Sequence, residues 1–234
     1  MSSIVAREVA EPLQIAIVED EDLFRQLLVH ALSGHPRLNV VGSFKSGAHL
    51  LEASERLQID VCLMDINLGP GTNGVATGLQ LRKRSPQTAI VLLSNYDEPG
   101  ILLAIPSDDV MGWSYLLKKS VSHLGMVVRA VEGAASGLVV LDPSLVKAFK
   151  PRPEGILSRI TPRQLDVLQL IAKGYSNRAI AEELVITEKS VENQVSLLYQ
   201  NLGIESQENH IHARVKATLL FLDEQENGQR VKVR

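Results

Sequence analysis

The chain contains a single cysteine, Cys62, in 234 residues. That excludes a disulfide framework and any cysteine-rich zinc site, and it points to a reducing compartment. Aromatic residues make up only 4% of the sequence, so its cores must be built mainly from aliphatic side chains. No segment approaches about 18 uninterrupted apolar residues. The opening MSSIVAREVAEPLQ lacks the basic start and apolar run of a signal peptide. No membrane partner is expected, and the expected location is cytoplasmic. Cations are not in excess either: 24 Lys and Arg stand against 27 Asp and Glu, a net charge of −3. Bulk charge therefore advertises no nucleic-acid partner. The six histidines lack metal-ligand spacing, since His210 and His212 are two residues apart and fall on different faces of a helix.

What is present suffices for ordinary folded cores: 45% hydrophobic and 22% charged residues. The length fits one large domain or two small ones. Between residues 13 and 141, short apolar runs alternate with amphipathic stretches. The runs are QIAIV (14–18), LNVVGSF (38–44), DVCLMDI (60–66), TAIVLLS (88–94) and SYLL (114–117). LFRQLLVHAL, SGAHLLEAS, GVATGLQLRKR and VSHLGMVVRAVEGA carry apolar residues at helical spacing. This alternation predicts a doubly wound α/β fold with a five-stranded parallel sheet. Pro99, Gly100 and Pro106 fall between the fourth and fifth runs, so any helix there must be short or irregular. Residues 142–156, with Pro143, Pro151 and Pro153, read as a linker with a short helix around 143–149.

From 157 to 223 the chain reads as a small all-α domain. Thr161-Pro162-Arg163-Gln164 combines an N-cap threonine, a proline at the first helical position and glutamine at capping-box spacing. Gly174 closes that helix, Ser176 caps a second, Thr187 caps a third that Gly203 ends, and a fourth runs over roughly 207–223. The terminal NGQRVKVR has no periodicity and is expected to be loose.

Three acidic residues fall at strand ends in the first half: Glu19 and Asp20 after the first strand, Asp65 near the end of the third. Ligands of doubly wound sheets bind beyond the carboxyl ends of strands. Neighbouring carboxylates there suit a hard divalent cation such as magnesium. Ser94 ends the fourth strand with a hydroxyl, and Lys118 ends the fifth with an ammonium. Such a set suits a carboxylate that accepts a phosphoryl group, which needs charge neutralisation rather than acid–base machinery. IAIVEDEDLF, CLMDINL, IVLLSN and SYLLKK, in this order, resemble the receiver domain (flavodoxin-like) of two-component response regulators. The resemblance implies that Asp65 is phosphorylated, and that Glu19, Asp20, Asp65 and the backbone carbonyl of Asn67 hold Mg2+. It implies further that Ser94 and Lys118 contact the phosphoryl oxygens, and that Tyr115 is an aromatic switch. The sequence departs from the family at Glu19, where aspartate is commoner, at Asn95, where a small alanine is usual, and in the longer loop LGPGTNG.

That loop also spells G-x-G-x-x-G from Gly69 to Gly74, with Asp97 some twenty residues on. By pattern alone this suggests a nicotinamide-dependent oxidoreductase. The motif follows the third strand rather than the first, Asp65, Ile66, Asn67 and Leu68 intervene where the strand should run straight into the glycine turn, and Pro70 stiffens it. A glycine-rich loop is the favoured reading.

In the helical half, Val191, Val195, Leu198 and Leu202 form a buried stripe, while Lys189, Asn193, Ser196 and Gln200 share another, polar face. With the tight turn Val185-Ile186-Thr187 before it, this is a helix-turn-helix pattern. The stretch from ITPRQ to NLGI resembles the LuxR-type (NarL/FixJ) DNA-binding domain. The resemblance implies a dimerising transcription factor whose helix 188–202 enters the major groove. Candidate DNA contacts are Arg163, Arg178, Thr187, Lys189, Asn193, Ser196 and Gln200, with Arg214 and Lys216 as further phosphate anchors. Residues 161–223 carry six Lys and Arg against eight Asp and Glu, so a helical module that binds protein is the alternative. The combined expectation is a non-enzymatic regulator. It would be phosphorylated by a sensor histidine kinase, form a homodimer when phosphorylated, and bind double-stranded DNA.

Overall fold

In the computed structural model, the described residues are 11–69, 73–107, 109–147, 154–204 and 210–232. Five strands form one sheet of order β2-β1-β3-β4-β5, with β1 at Leu13–Val18, β2 at Leu38–Phe44, β3 at Val61–Asp65, β4 at Ala89–Ser94 and β5 at Trp113–Leu117. The expected runs and the observed strands agree to within a residue or two. β1, β3, β4 and β5 read as continuous apolar runs because both faces of the sheet are covered. The chain separates into two compact units, one ending at Thr88 and one beginning at Ala89.

In the first unit, β1 pairs in parallel with β2 and β3. Helices α1 (Asp22–Ser33), α2 (Gly47–Ala53) and α3 (Gly74–Arg84) follow the three strands. Leu28, Leu32, Leu50 and Leu81 bury their side chains with Ile15, Ile17 and Leu63. Ser46 and Asn73 cap α2 and α3 by accepting from the amides of His49 and Val75.

In the second unit, β4 and β5 pair in parallel. In the proline-interrupted segment between them, the described residues form a 3₁₀ turn, Pro99–Ala104. A second 3₁₀ turn, Lys118–Ser122, leads into α4 (Leu124–Ala135). Helix α5 (Pro143–Lys147) lies in the stretch 143–149 where a short helix is expected, of which 148 and 149 lie outside the described residues. Then come α6 (Pro162–Ala172), α7 (Asn177–Leu184), α8 (Glu188–Asn201) and α9 (His210–Lys232). The Thr161–Gln164 capping box forms in both directions: Thr161 accepts from the Gln164 amide, and Gln164 accepts from the Thr161 amide. Gly174 and Gly203 adopt φ of +78° and +69°, the left-handed geometry that ends a helix.

The carboxyl end differs from the expectation. NGQRVKVR reads as loose, yet α9 continues to Lys232. The reason lies in packing that periodicity does not report: Glu224 and Gln225 are buried. Glu224 Oε2 accepts from the Ile156 amide at 3.2 Å, and Gln225 Nε2 donates to the Leu145 carbonyl at 2.8 Å. Anchoring at those two residues lets the helix propagate beyond them at little further cost. Among the described residues, no helix is long and apolar enough to cross a membrane.

Candidate functional site

The carboxyl ends of β1 and β3 bring Glu19, Asp20 and Asp65 together, with their nearest carboxylate oxygens all within 4.8 Å of one another. Glu19 and Asp65 are buried and Asp20 is exposed. Local bonds fix this arrangement. The Glu21 amide donates to Glu19 Oε1 at 3.2 Å, and the Asn67 amide donates to Asp65 Oδ1 at 3.1 Å. Arg25, itself buried, donates to the Glu19 carbonyl at 2.8 Å and pairs with Asp22. Sequence reading passed over Arg25; its signal is an arginine one turn into the helix that follows the acidic pair. Arg25 and Lys45 together hold the Asp22 carboxyl below the usual carboxylate range.

Oxygen ligands gathered this closely suit a hard divalent cation. Magnesium binds oxygen at about 2.0–2.1 Å, so opposite ligands lie about 4 Å apart. The observed spread of 4.8 Å or less fits a cation held by these carboxylates.

The loop after β3 turns back on itself. Asn67 bridges Asn73, and the Gly74 amide donates to the Ile66 carbonyl at 2.8 Å. A Cβ at Gly74 would lie 2.1 Å from the Asp65 carbonyl oxygen, and Gly69 has φ of +84°. These two glycines are therefore required by the backbone beside Asp65, which leaves the dinucleotide pattern without a role of its own. Pro70, Gly71 and Thr72 lie outside the described residues.

In the second unit, Ser94 ends β4 with its hydroxyl accepting from the Tyr96 amide at 3.0 Å. Tyr115 is fully buried; its hydroxyl donates to the Tyr96 carbonyl at 2.5 Å and accepts from the Glu98 amide at 3.3 Å. Burial raises the Tyr115 pKa, opposed by the neighbouring Ser94 hydroxyl and Glu98 amide. Lys118 is half-buried just past β5, and Lys119 pairs with Asp97 at 3.6 Å.

The polar face of α8 is open: Lys189, Asn193, Ser196 and Gln200 are exposed, while Val191, Val195 and Leu198 are buried. Thr187 caps this helix, accepting from the Ser190 amide at 3.1 Å. Three of the candidate DNA-contacting cations pair with a carboxylate on their own helix. Lys189 pairs with Glu192 at 2.9 Å, Arg178 with Glu182 at 3.1 Å, and Arg163 with Asp166 at 4.0 Å. Arg163 also donates to the Leu184 carbonyl at the end of α7. Arg214, a further candidate phosphate anchor, is engaged within the helical half. It donates to the Tyr175 carbonyl and to Asn177 Oδ1, both at 2.8 Å, and burial lowers its pKa. Asn201 donates to Gln164 Oε1 at 3.1 Å and ties α8 to the capping box.

Residues 15–129 match the response regulator receiver domain family, and residues 158–213 match the bacterial regulatory proteins of the luxR family. The transcriptional regulatory protein DegU of Brevibacillus brevis is 30% identical over 228 residues, covering 87% of this chain and 93% of that protein. The nitrate/nitrite response regulator protein NarL of Escherichia coli K12 is 31% identical over 205 residues, covering 84% and 92%. A solved structure of two RcsB dimers bound to two parallel DNAs covers 89% of this chain and 100% of the matched one, with 19% identity and a TM-score of 0.51, a likeness of fold. The chain belongs to the two-component response regulators that join a receiver domain to a LuxR-type helix-turn-helix DNA-binding domain.

Proposed function

We propose that Asp65 is the phospho-acceptor of this regulator and that a sensor histidine kinase supplies the phosphoryl group. The observation that carries the reading is the gathering of Glu19, Asp20 and Asp65 within 4.8 Å at adjacent strand ends. In the transfer, an Asp65 carboxylate oxygen bonds to phosphorus as the phosphorus–nitrogen bond to the kinase histidine breaks. Glu19, Asp20, Asp65 and the Asn67 carbonyl would hold Mg2+, which supplies positive charge against the phosphoryl oxygens when bound. Ser94 and Lys118 would meet those oxygens, and Tyr115 would be the aromatic switch: Ser94 accepts from the Tyr96 amide and Tyr115 donates to the Tyr96 carbonyl, so both hydroxyls hold the backbone of one residue.

In this reading the receiver spans 13–141, the linker 142–156 and the output domain 157–223. The role is regulatory rather than enzymatic, in the cytoplasm, with a homodimer favoured by phosphorylation. Output is through double-stranded DNA read by Lys189, Asn193, Ser196 and Gln200, with Arg163, Arg178 and Thr187 beside them. The exposure of the α8 polar face supports this assignment.

The test is incubation with acetyl phosphate and magnesium, followed by intact mass. The wild type should gain one phosphoryl group in a magnesium-dependent manner, and Asp65→Asn should gain none. Undiminished labelling of Asp65→Asn would remove the assignment. For the output domain, a mobility shift on random double-stranded DNA separates a DNA-binding module from a protein-binding one.

A further inference from the structure

Between α4 and α5 the chain makes a short extended segment, and Val140, Leu141 and Asp142 in it are all buried. Their backbone groups alternate in direction, as strand geometry requires. On one edge, the Tyr115 amide donates to the Val140 carbonyl at 2.8 Å, and the Asp142 amide donates to the Tyr115 carbonyl at 2.8 Å. Leu141 thereby forms a parallel bridge to Tyr115. On the other edge, the Leu141 amide donates to the carbonyl of Ala172, the last residue of α6, at 2.8 Å. Three consecutive residues thus bond the peptide of the aromatic switch on one side and the end of the first output helix on the other.

Asp142 pins this segment. Its Oδ2 accepts from the Leu117 amide at 3.0 Å, while Oδ1 accepts from the Ser144 amide at 2.9 Å and the Ser144 hydroxyl at 2.6 Å. Both oxygens of a fully buried carboxylate are committed, one to β5 and one to the start of α5. Two side-chain contacts extend the junction. A Cβ at Gly174 would lie 2.8 Å from the Val140 side chain, and the Arg129 guanidinium stacks over the Tyr175 ring at 3.9 Å. Arg214 holds the Tyr175 carbonyl from α9. The corner between α6 and α7 is therefore gripped, while the polar face of α8 stays exposed.

We propose that Val140–Asp142 is the element through which the receiver's switch strand controls the output helices, with Asp142 as its positioning residue. The proposal rests on the assignment of Asp65 as phospho-acceptor and of Tyr115 as switch. Strand hydrogen bonds tolerate only small displacements, so a shift at Tyr115 is either carried to Ala172 or breaks one edge of the segment. That choice between a bonded and a released edge is the two-state element that coupling requires. Control then acts by holding the α6–α7 corner rather than by covering the reading helix.

The test uses the full chain as wild type, Asp142→Asn and Arg129→Gln, each before and after treatment with acetyl phosphate and magnesium. Intact mass reports phosphoryl uptake, and backbone hydrogen exchange reports the Leu141, Tyr115 and Asp142 amides. An asparagine at 142 has one acceptor oxygen, so its NH2 faces an N–H on one side. In the wild type, phosphorylation should change Leu141 exchange by about tenfold or more. Asp142→Asn should take up phosphoryl normally, yet show Leu141 exchange that no longer responds to it. Arg129→Gln leaves the strand bonds intact and should reduce the response at Leu141, which keeps the proposal testable if Asp142→Asn does not fold. A fully labelled wild type whose Leu141 rate stays unchanged, or an undiminished response in both variants, overturns the coupling. Absence of phosphoryl uptake by the wild type would overturn the phospho-acceptor assignment and the coupling with it, and mass distinguishes that outcome from the others.

Discussion

Val185 sits in the turn between α7 and α8 with φ of +54° and is 89% exposed. A β-branched residue in the left-handed region costs about 1–2 kcal/mol, which asparagine largely escapes. Val185→Asn should therefore raise the stability of the helical half by about 1 kcal/mol in urea denaturation. Tyr199 presents a related case: its buried hydroxyl has no hydrogen-bond partner among the described residues. Burial raises the pKa of Tyr199, of Tyr115 and of the fully buried Cys62 thiol. All three ionise more readily in the unfolded chain, so the stability that they confer is complete below their ordinary values, 9.0 for the thiol and 10.0 for the phenols. It is lost progressively as pH rises above those values. Denaturation midpoints should hold steady up to about pH 9 and fall beyond it, the thiol acting first. In native protein at neutral pH, Cys62 should resist thiol reagents until the chain is unfolded. Rapid native labelling would contradict its burial.

At the scale of the element, the α6 start was legible because a capping box has a fixed local spacing. Thr161→Ala should cost about 1 kcal/mol by removing one cap. Gln164→Ala should cost more, because Gln164 Oε1 accepts from both the Thr161 amide and Asn201. Comparing the two variants by thermal denaturation checks the order. The α8 face yields a prediction about reading. Asn193 has the amide geometry for adenine, worth about 1–3 kcal/mol of discrimination. Asn193→Ala should relax base preference at one position per half-site, whereas Lys189→Ala should weaken all sequences alike. The ion pair of Lys189 with Glu192 is exposed and so cheap to exchange for a phosphate. A log–log salt slope of about −3 to −5 is expected for one domain. Titrations on selected and scrambled DNA at several salt concentrations measure both effects.

For the whole molecule, the expected consequence of phosphorylation is a shift towards a dimer. A domain with few phosphate anchors binds usefully only when paired half-sites are engaged together. Sedimentation of phosphorylated and unphosphorylated protein across concentrations should show a larger species only in the first. Identical profiles would remove dimerisation from the switch.

Much of this was determined by the sequence alone. Strand runs, helix caps and the alternation of elements are local signals, repeated every two or 3.6 residues. They placed Glu19, Asp20 and Asp65 at strand ends, and they placed the polar stripe of α8 opposite its buried one. The tertiary structure decided what has no local signature. Arg25 anchors the acidic loop, and Arg214 holds the α6–α7 corner. Glu224 and Gln225 are buried and carry α9 past its expected end. Asp142, read from the sequence as the edge of a linker, is a buried pin between β5 and α5. In each case the partner lies far along the chain or across an element. A polar side chain's sequence neighbours do not reveal whether water or a distant backbone amide will satisfy it; only the packed structure sets that, because a buried polar group must find its partner there.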